Sequence, residues 1–121
     1  MKVLVIDDSE SMRLQVRQAL SNSGHEIVEA QDGVEGLEKL QTLLDLNLVL
    51  CDVNMPRMSG LELVAEAQRL GLKVPIIMLT TEGQPSMIQQ ARAAGAKGWI
   101  VKPFKPGLLV MAVNKVAMAT A

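Results

Sequence analysis

The sequence predicts a doubly wound α/β domain of five βα units around a five-stranded parallel sheet. Five apolar runs recur at near-regular intervals: KVLVID (2–7), HEIVEA (25–30), LNLVLCD (46–52), VPIIMLT (74–80) and GWIVK (98–102). Over 121 residues this allots about 24 to each unit, enough for a strand, a helix and two short loops. Between the runs, apolar residues change to helical spacing. At 49% hydrophobic and 21% charged, the chain has the composition of one domain with a sizeable core, expected to span residues 1–121 with no further output domain.

The first strand, KVLVID, runs into Asp7 and Asp8, and its helix carries the stripe Met12, Val16, Ala19, Leu20 before Gly24. The second run sets Glu26 and Glu29 around Ile27 and Val28, the pattern of a sheet edge. A helix with Val34, Leu37, Leu40 and Leu44 on one stripe follows. The third run is nearly all Val and Leu, as expected of a strand covered on both faces, and stops at Asp52. Leu61, Val64 and Ala65 mark the third helix, which ends near Gly71. The fourth run is again continuous and stops at Thr80; Met87, Ile88 and Ala91 mark the next helix, up to Gly95. Gly24, Gly71 and Gly95 stand where left-handed helix caps form. The fifth run is short, an edge, and ends in Lys102. The last helix carries Leu109, Ala112, Val113 and Val116 inward and is poor in charge, with only Lys115 after Lys105. Val110, Met111 and Met118 are expected to form an uncovered apolar patch on it, a mark of partner contacts.

With the second and fifth strands outermost, right-handed crossovers give the order 2-1-3-4-5, the flavodoxin-like arrangement, whose direction reverses between strands one and three. Ligands bind beyond the strand ends at that switch point. There the sequence places acid: Asp7 and Asp8 after strand one and Asp52 after strand three. Like charges about 4 Å apart repel by roughly 4 kcal/mol at an effective dielectric of about 20, so the cluster calls for a counter-charge. An all-oxygen ligand set suits Mg²⁺ with positions left for phosphate oxygens, and Lys102 and Thr80 end beside the same crevice. A carboxylate beside a divalent metal, a lysine and a hydroxyl is equipped for phosphoryl transfer. Asp52 is the candidate nucleophile that becomes an aspartyl phosphate, Asp7 and Asp8 the metal ligands, and Lys102 and Thr80 the groups that neutralise and orient.

VLVIDDS, CDVNMPRMSG, IIMLTTE and IVKPF, in this order at four strand ends, resemble the receiver domain of two-component response regulators, and most closely stand-alone CheY-like regulators. The resemblance runs from Val3 to the last helix. It implies a signalling phosphoacceptor, not an enzyme with an external substrate, that catalyses only its own phosphotransfer and autodephosphorylation. Asp52 would accept phosphate from a sensor histidine kinase, with Asp7, Asp8, Asp52 and the Asn54 carbonyl around Mg²⁺ or Mn²⁺. Thr80 and Lys102 would contact the phosphoryl group, and the Lys102–Pro103 bond would be cis. Asn54 and Glu82 stand where the family tunes hydrolysis, a pair that implies a short-lived phosphoryl state. Chemotaxis is the implied pathway. Two positions depart from the family pattern: Trp99 replaces the usual Tyr or Phe switch residue, and Thr81 replaces a small residue, so an inward turn of the indole meets a branched neighbour. The partner surface is expected on helix four, strand five and helix five, including Trp99, for a target protein or a weak homodimer.

Plainer readings and other functions stand beside these. Asp7 and Asp8 by themselves also suit helix caps. Cys51 should point away from Asp52 into a core layer, and His25 should be a surface residue. A flavin carrier of the same strand order needs a phosphate-cradling loop where this chain has DDSES, and aromatics, of which it has 2%. A phosphohydrolase with an Asp nucleophile would carry DxD after strand one, and an interaction module independent of phosphate would not need the site residues. Twelve basic and 13 acidic residues are well mixed, which favours neither nucleic acid nor an anionic membrane. The single cysteine excludes an internal disulfide, and the five apolar residues ahead of Asp7 are too few for a signal peptide or a span, so the expected location is cytoplasmic.

Overall fold

Strand and helix alternate five times: β1 (Lys2–Ile6), α1 (Glu10–Ser21), β2 (Glu26–Ala30), α2 (Gly33–Thr42), β3 (Leu48–Asp52), α3 (Gly60–Arg69), β4 (Ile76–Thr80), α4 (Pro85–Ala94), β5 (Gly98–Val101) and α5 (Pro106–Thr120). This computed structural model describes residues 1–81 and 85–120, with side chains through Val116. Glu82 and the side chain of Met118 lie outside the described residues. The strands form one parallel sheet ordered β2-β1-β3-β4-β5, as the runs of the sequence predict. No helix among the described residues is long and apolar enough to cross a membrane.

Alternate residues of each strand feed two cores, because side chains switch faces at every step. Val3, Val5, Leu48, Leu50, Ile77 and Leu79 point to the layer under α1 and α5, where they meet Val16, Leu20, Leu109 and Val113. Leu4, Ile6, Val49, Cys51, Ile76 and Met78 point to the other layer, with Leu40, Leu63, Val64 and Ala91 from α2, α3 and α4. β1, β3 and β4 are buried along almost their whole length, while β2 and β5 are only partly so. The register Ile6↔Cys51 and Asp52↔Leu79 brings the ends of the central strands level.

Two helix faces differ from the sequence expectation. On α2 the buried positions are Gly33, Gly36 and Leu40; Val34 is exposed and Leu44, beyond the helix end, is 92% exposed. On α3 they are Gly60, Leu63, Val64 and Ala67, and Ala65 is exposed. The cause is close approach: a Cβ on Gly36 would lie 2.4 Å from Cδ1 of Ile6, so bare backbone rather than a side chain forms the contact. On α5 Val110 packs on the core, and among the described side chains of this helix Leu108 and Met111 are the exposed large apolar ones. Gly24, Gly71 and Gly95 all take positive φ, as left-handed caps require. His25 is partly buried, with Nδ1 3.4 Å from the N-terminal ammonium, and is less of a surface residue than expected.

Candidate phosphoacceptor site

Asp7 follows β1 directly, fully buried, and its backbone is fixed on both sides. Its N–H donates to the Ala30 carbonyl at 3.1 Å, and its own carbonyl accepts from Arg13 Nη1 at 2.6 Å. The helix that follows is capped by Ser9, whose Oγ accepts from the Met12 N–H, and the Ser9 N–H donates to Asp7 Oδ1 at 2.9 Å. The capping alternative for Asp7 and Asp8 therefore falls to Ser9, and both acids are left for the crevice. Asp8 is exposed at its rim.

Asp52 is the last residue of β3 and is buried. Its Oδ1 accepts the N–H of Val53 at 2.8 Å. Lys102, one residue past β5, reaches across β4 with Nζ 2.7 Å from Asp7 Oδ2 and 3.5 Å from Asp52 Oδ1. Its backbone N–H donates to the carbonyl of Thr80, the fully buried end of β4, at 2.7 Å. Four strand ends thus deliver Asp7, Asp52, Thr80 and Lys102 to one place. Burial pushes the Asp52 carboxyl above its ordinary range, the charge of Asp7 pushes the same way, and Lys102 offsets only part of this.

One oxygen each from Asp7, Asp8 and Asp52 lie within 4.8 Å of one another. Such an all-carboxylate set, two buried and one exposed, fits a small hard cation that keeps waters on its open side. Asn54 follows in the loop after β3 and is exposed, as is Thr81 after Thr80. Trp99 packs against the α3/α4 core layer, half-buried, with Nε1 shielded from solvent and without a hydrogen-bond partner among the described residues. The Lys102–Pro103 bond is cis. Cys51 points away from the crevice into the same layer as Leu63 and Val64, as expected.

Sequence reasoning missed three supports. Glu29 of the edge strand accepts from Arg13 Nε at 3.0 Å and Arg17 Nε at 2.9 Å, so it orients the arginine that holds the Asp7 carbonyl. A Cβ on Gly60 would fall 2.1 Å from the Asp52 carbonyl, which makes α3 start directly against the acid's backbone. Arg57 in the loop after β3 adopts φ 68° and pairs with Asp32. Only the glycine leaves a trace in the sequence, as the G that follows CDVNMPRMS.

Comparison with known proteins agrees with this geometry. The sequence model of the response regulator receiver domain matches residues 3–114. The chain is 45% identical over 112 residues to the chemotaxis protein CheY1 of Helicobacter pylori, covering 90% of each. It is 37% identical to the chemotaxis protein CheY of Thermotoga maritima, over 96% of this chain and 97% of that one. Among solved structures, the chemotaxis response regulator CheY4 of Vibrio cholerae superposes with a TM-score of 0.88 at 42% identity, covering 95% and 97%.

Proposed function

Because this chain belongs to the response regulator receiver domain family and is homologous to CheY chemotaxis response regulators, we propose that Asp52 is its phosphoacceptor, charged by a histidine kinase of a two-component pair. The observation that carries the assignment is the reach of one ammonium, Lys102 Nζ, to carboxylates from two different strand ends, Asp7 and Asp52. In this reading an Asp52 carboxylate oxygen forms its bond to phosphorus as the bond from phosphorus to the donor imidazole nitrogen breaks. Lys102 turns from Asp7 toward the incoming phosphoryl oxygens, and the Thr80 hydroxyl donates to another. Asp7, Asp8, Asp52 and the Asn54 carbonyl would hold Mg²⁺ or Mn²⁺, which supplies charge neutralisation for the phosphoryl oxygens. The raised proton affinity of Asp52 agrees with a crowded anion that gains from such compensation.

Protein of this class is a signalling phosphoacceptor and not a classical enzyme. Asn54 and Glu82 together define a short-lived phosphoryl state, lost by autodephosphorylation. The output surface is assigned to α4, β5 and α5. Val101, Leu108 and Met111 are 47%, 58% and 67% exposed there, and Trp99 packs beneath α4. A target protein, with a second copy of the chain as the alternative occupant, would cover these residues. The pathway assigned is chemotaxis, by homology with the CheY proteins.

The test adds acetyl phosphate with Mg²⁺ and follows intact mass and Trp99 emission in wild type and Asp52→Asn; beryllofluoride, which mimics the phosphoryl group without transferring one, is read by emission alone. Wild type should gain one phosphoryl group and change its emission, and the variant should do neither. A wild type that acquires no phosphate, or a variant that acquires it equally, sinks the assignment. For the output surface, Trp99→Ala and Met111→Ala together should abolish phosphate-dependent target capture and self-association; if both persist, that surface is wrong.

A further inference from the structure

The loop between β3 and α3 carries Asn54, and its course depends on contacts with α2 that the phosphoryl chemistry does not call for. Its two ends are tied together by the Gly60 N–H, which donates to the Val53 carbonyl at 2.8 Å. Within it, the Met58 N–H donates to the Pro56 carbonyl at 2.8 Å. The bend between them falls on Arg57, the one non-glycine residue with positive φ among the described residues, at 68°. A side chain disfavours this region, and glycine would enter it freely. Something must hold Arg57 there.

What holds it is the N-terminus of α2. Arg57 Nε and Nη2 both donate to Asp32 Oδ2, at 3.0 and 2.7 Å. Asp32 is buried, and its other oxygen accepts the Glu35 N–H at 2.9 Å as the cap of α2, so the anchor is itself rigid. Immediately beside the pair, a Cβ on Gly33 would lie 2.4 Å from the Met58 carbonyl, so the first turn of α2 lies directly against the loop. The Arg57 side chain is 59% exposed and that of Asp32 only 9%, so the arginine approaches the carboxylate from the solvent side.

We propose that the Arg57–Asp32 ion pair is a positioning device for the divalent-metal site, locking the β3–α3 loop in the shape from which the Asn54 carbonyl joins Asp7, Asp8 and Asp52. This rests on the metal assignment made above. Glycine at position 57 would satisfy the backbone and leave the loop free to sample other shapes; arginine accepts a disfavoured φ in exchange for a fixed one. The pair ties the metal site to the first turn of α2, so that a change at either is felt at the other. Neither residue touches the reacting atoms.

The experiment titrates Mg²⁺ without a phosphodonor, following amide NMR shifts of Asp8 and Val53, in wild type, Arg57→Ala, Arg57→Gly and Asp32→Asn. Asn keeps the helix cap while removing the charge. Each variant should bind Mg²⁺ roughly tenfold more weakly, the lower end of what loss of an outer partner costs a metal site. At saturating Mg²⁺ its phosphorylation by acetyl phosphate should stay within about twofold of wild type, since the loop is then held by the metal itself. Melting without metal, recorded in parallel, separates this from a general loss of stability, which shifts the midpoint and leaves the Mg²⁺ affinity alone. Affinity within about twofold of wild type in Arg57→Ala and Asp32→Asn overturns the proposal, and so does an unchanged affinity in Arg57→Gly, which would leave the backbone bend alone as the determinant. If Arg57→Ala does not fold, the other two variants decide. A wild type that binds no Mg²⁺ overturns the metal assignment and this proposal with it, whereas binding by wild type with unchanged variants overturns the ion pair alone.

Discussion

Glu29 illustrates how much of the site rests on residues outside it. An acid in an edge strand reads as a solvated face, yet here it accepts from both Arg13 and Arg17, and Arg13 in turn donates to the carbonyl of Asp7. The Arg17 guanidinium, helped by Arg13 and against the cost of partial burial, holds the Glu29 carboxyl below its ordinary range. A lowered native pKa means that the ionised form stabilises the fold at neutral pH. That contribution is complete above the ordinary glutamate value of about 4.3 and fades as pH falls through the native value. Glu29→Gln should therefore cost about 1 kcal/mol at pH 7, a figure kept small by the solvent that reaches this network. The cost should vanish in acid. Urea midpoints of both proteins at neutral and acid pH check this, and a gap that widens in acid would refute the assignment of the network.

At the scale of the element, α2 and α3 approach the sheet through glycine. Gly36 lies against Ile6, and Gly60 against the carbonyl of Asp52. Gly36→Ala should cost about 1–3 kcal/mol, the range for forcing atoms into a filled core, in spite of alanine's better helix propensity. Val34→Ala, on a position that hydropathy alone would place inside, should stay within about 0.5 kcal/mol. Thermal melts of the two variants should rank them in this order; the reverse would mean that α2 packs on its valine. Here lies the physical limit of reading the fold from the chain. The strands were legible because continuous Val, Ile and Leu stop abruptly at Asp7, Asp52 and Thr80. The inner faces of α2 and α3 were not, because a pattern of apolar side chains cannot register a residue whose contribution is to have none. The Arg13–Glu29 and Arg57–Asp32 pairs were hidden for a different reason: each joins elements that only the finished topology makes neighbours, 16 and 25 residues apart in sequence.

At the scale of the whole molecule, the candidate site and the fold pull against each other. Three carboxylates gather within 4.8 Å at one end of the sheet, with Lys102 paired to two of them. Without metal this excess of negative charge, partly buried, opposes folding. Asp52→Asn should therefore melt higher than wild type in metal-free buffer at pH 7. Mg²⁺ should raise the wild-type midpoint by mass action and raise that of the variant less. Equal midpoints without metal, or equal responses to it, would mean that the acids are not in electrostatic conflict. The same sheet leaves Cys51 on the far side of β3, fully enclosed, its thiol donating to the Asp52 carbonyl at 3.3 Å and its ionisation pushed well up by burial. A thiol that neither ionises nor meets solvent does not react. The native chain, with this one cysteine, is thus already a silent background for spectroscopy: a single cysteine introduced at an exposed position such as Met111 would take a fluorophore or spin label alone, with the wild-type core left intact.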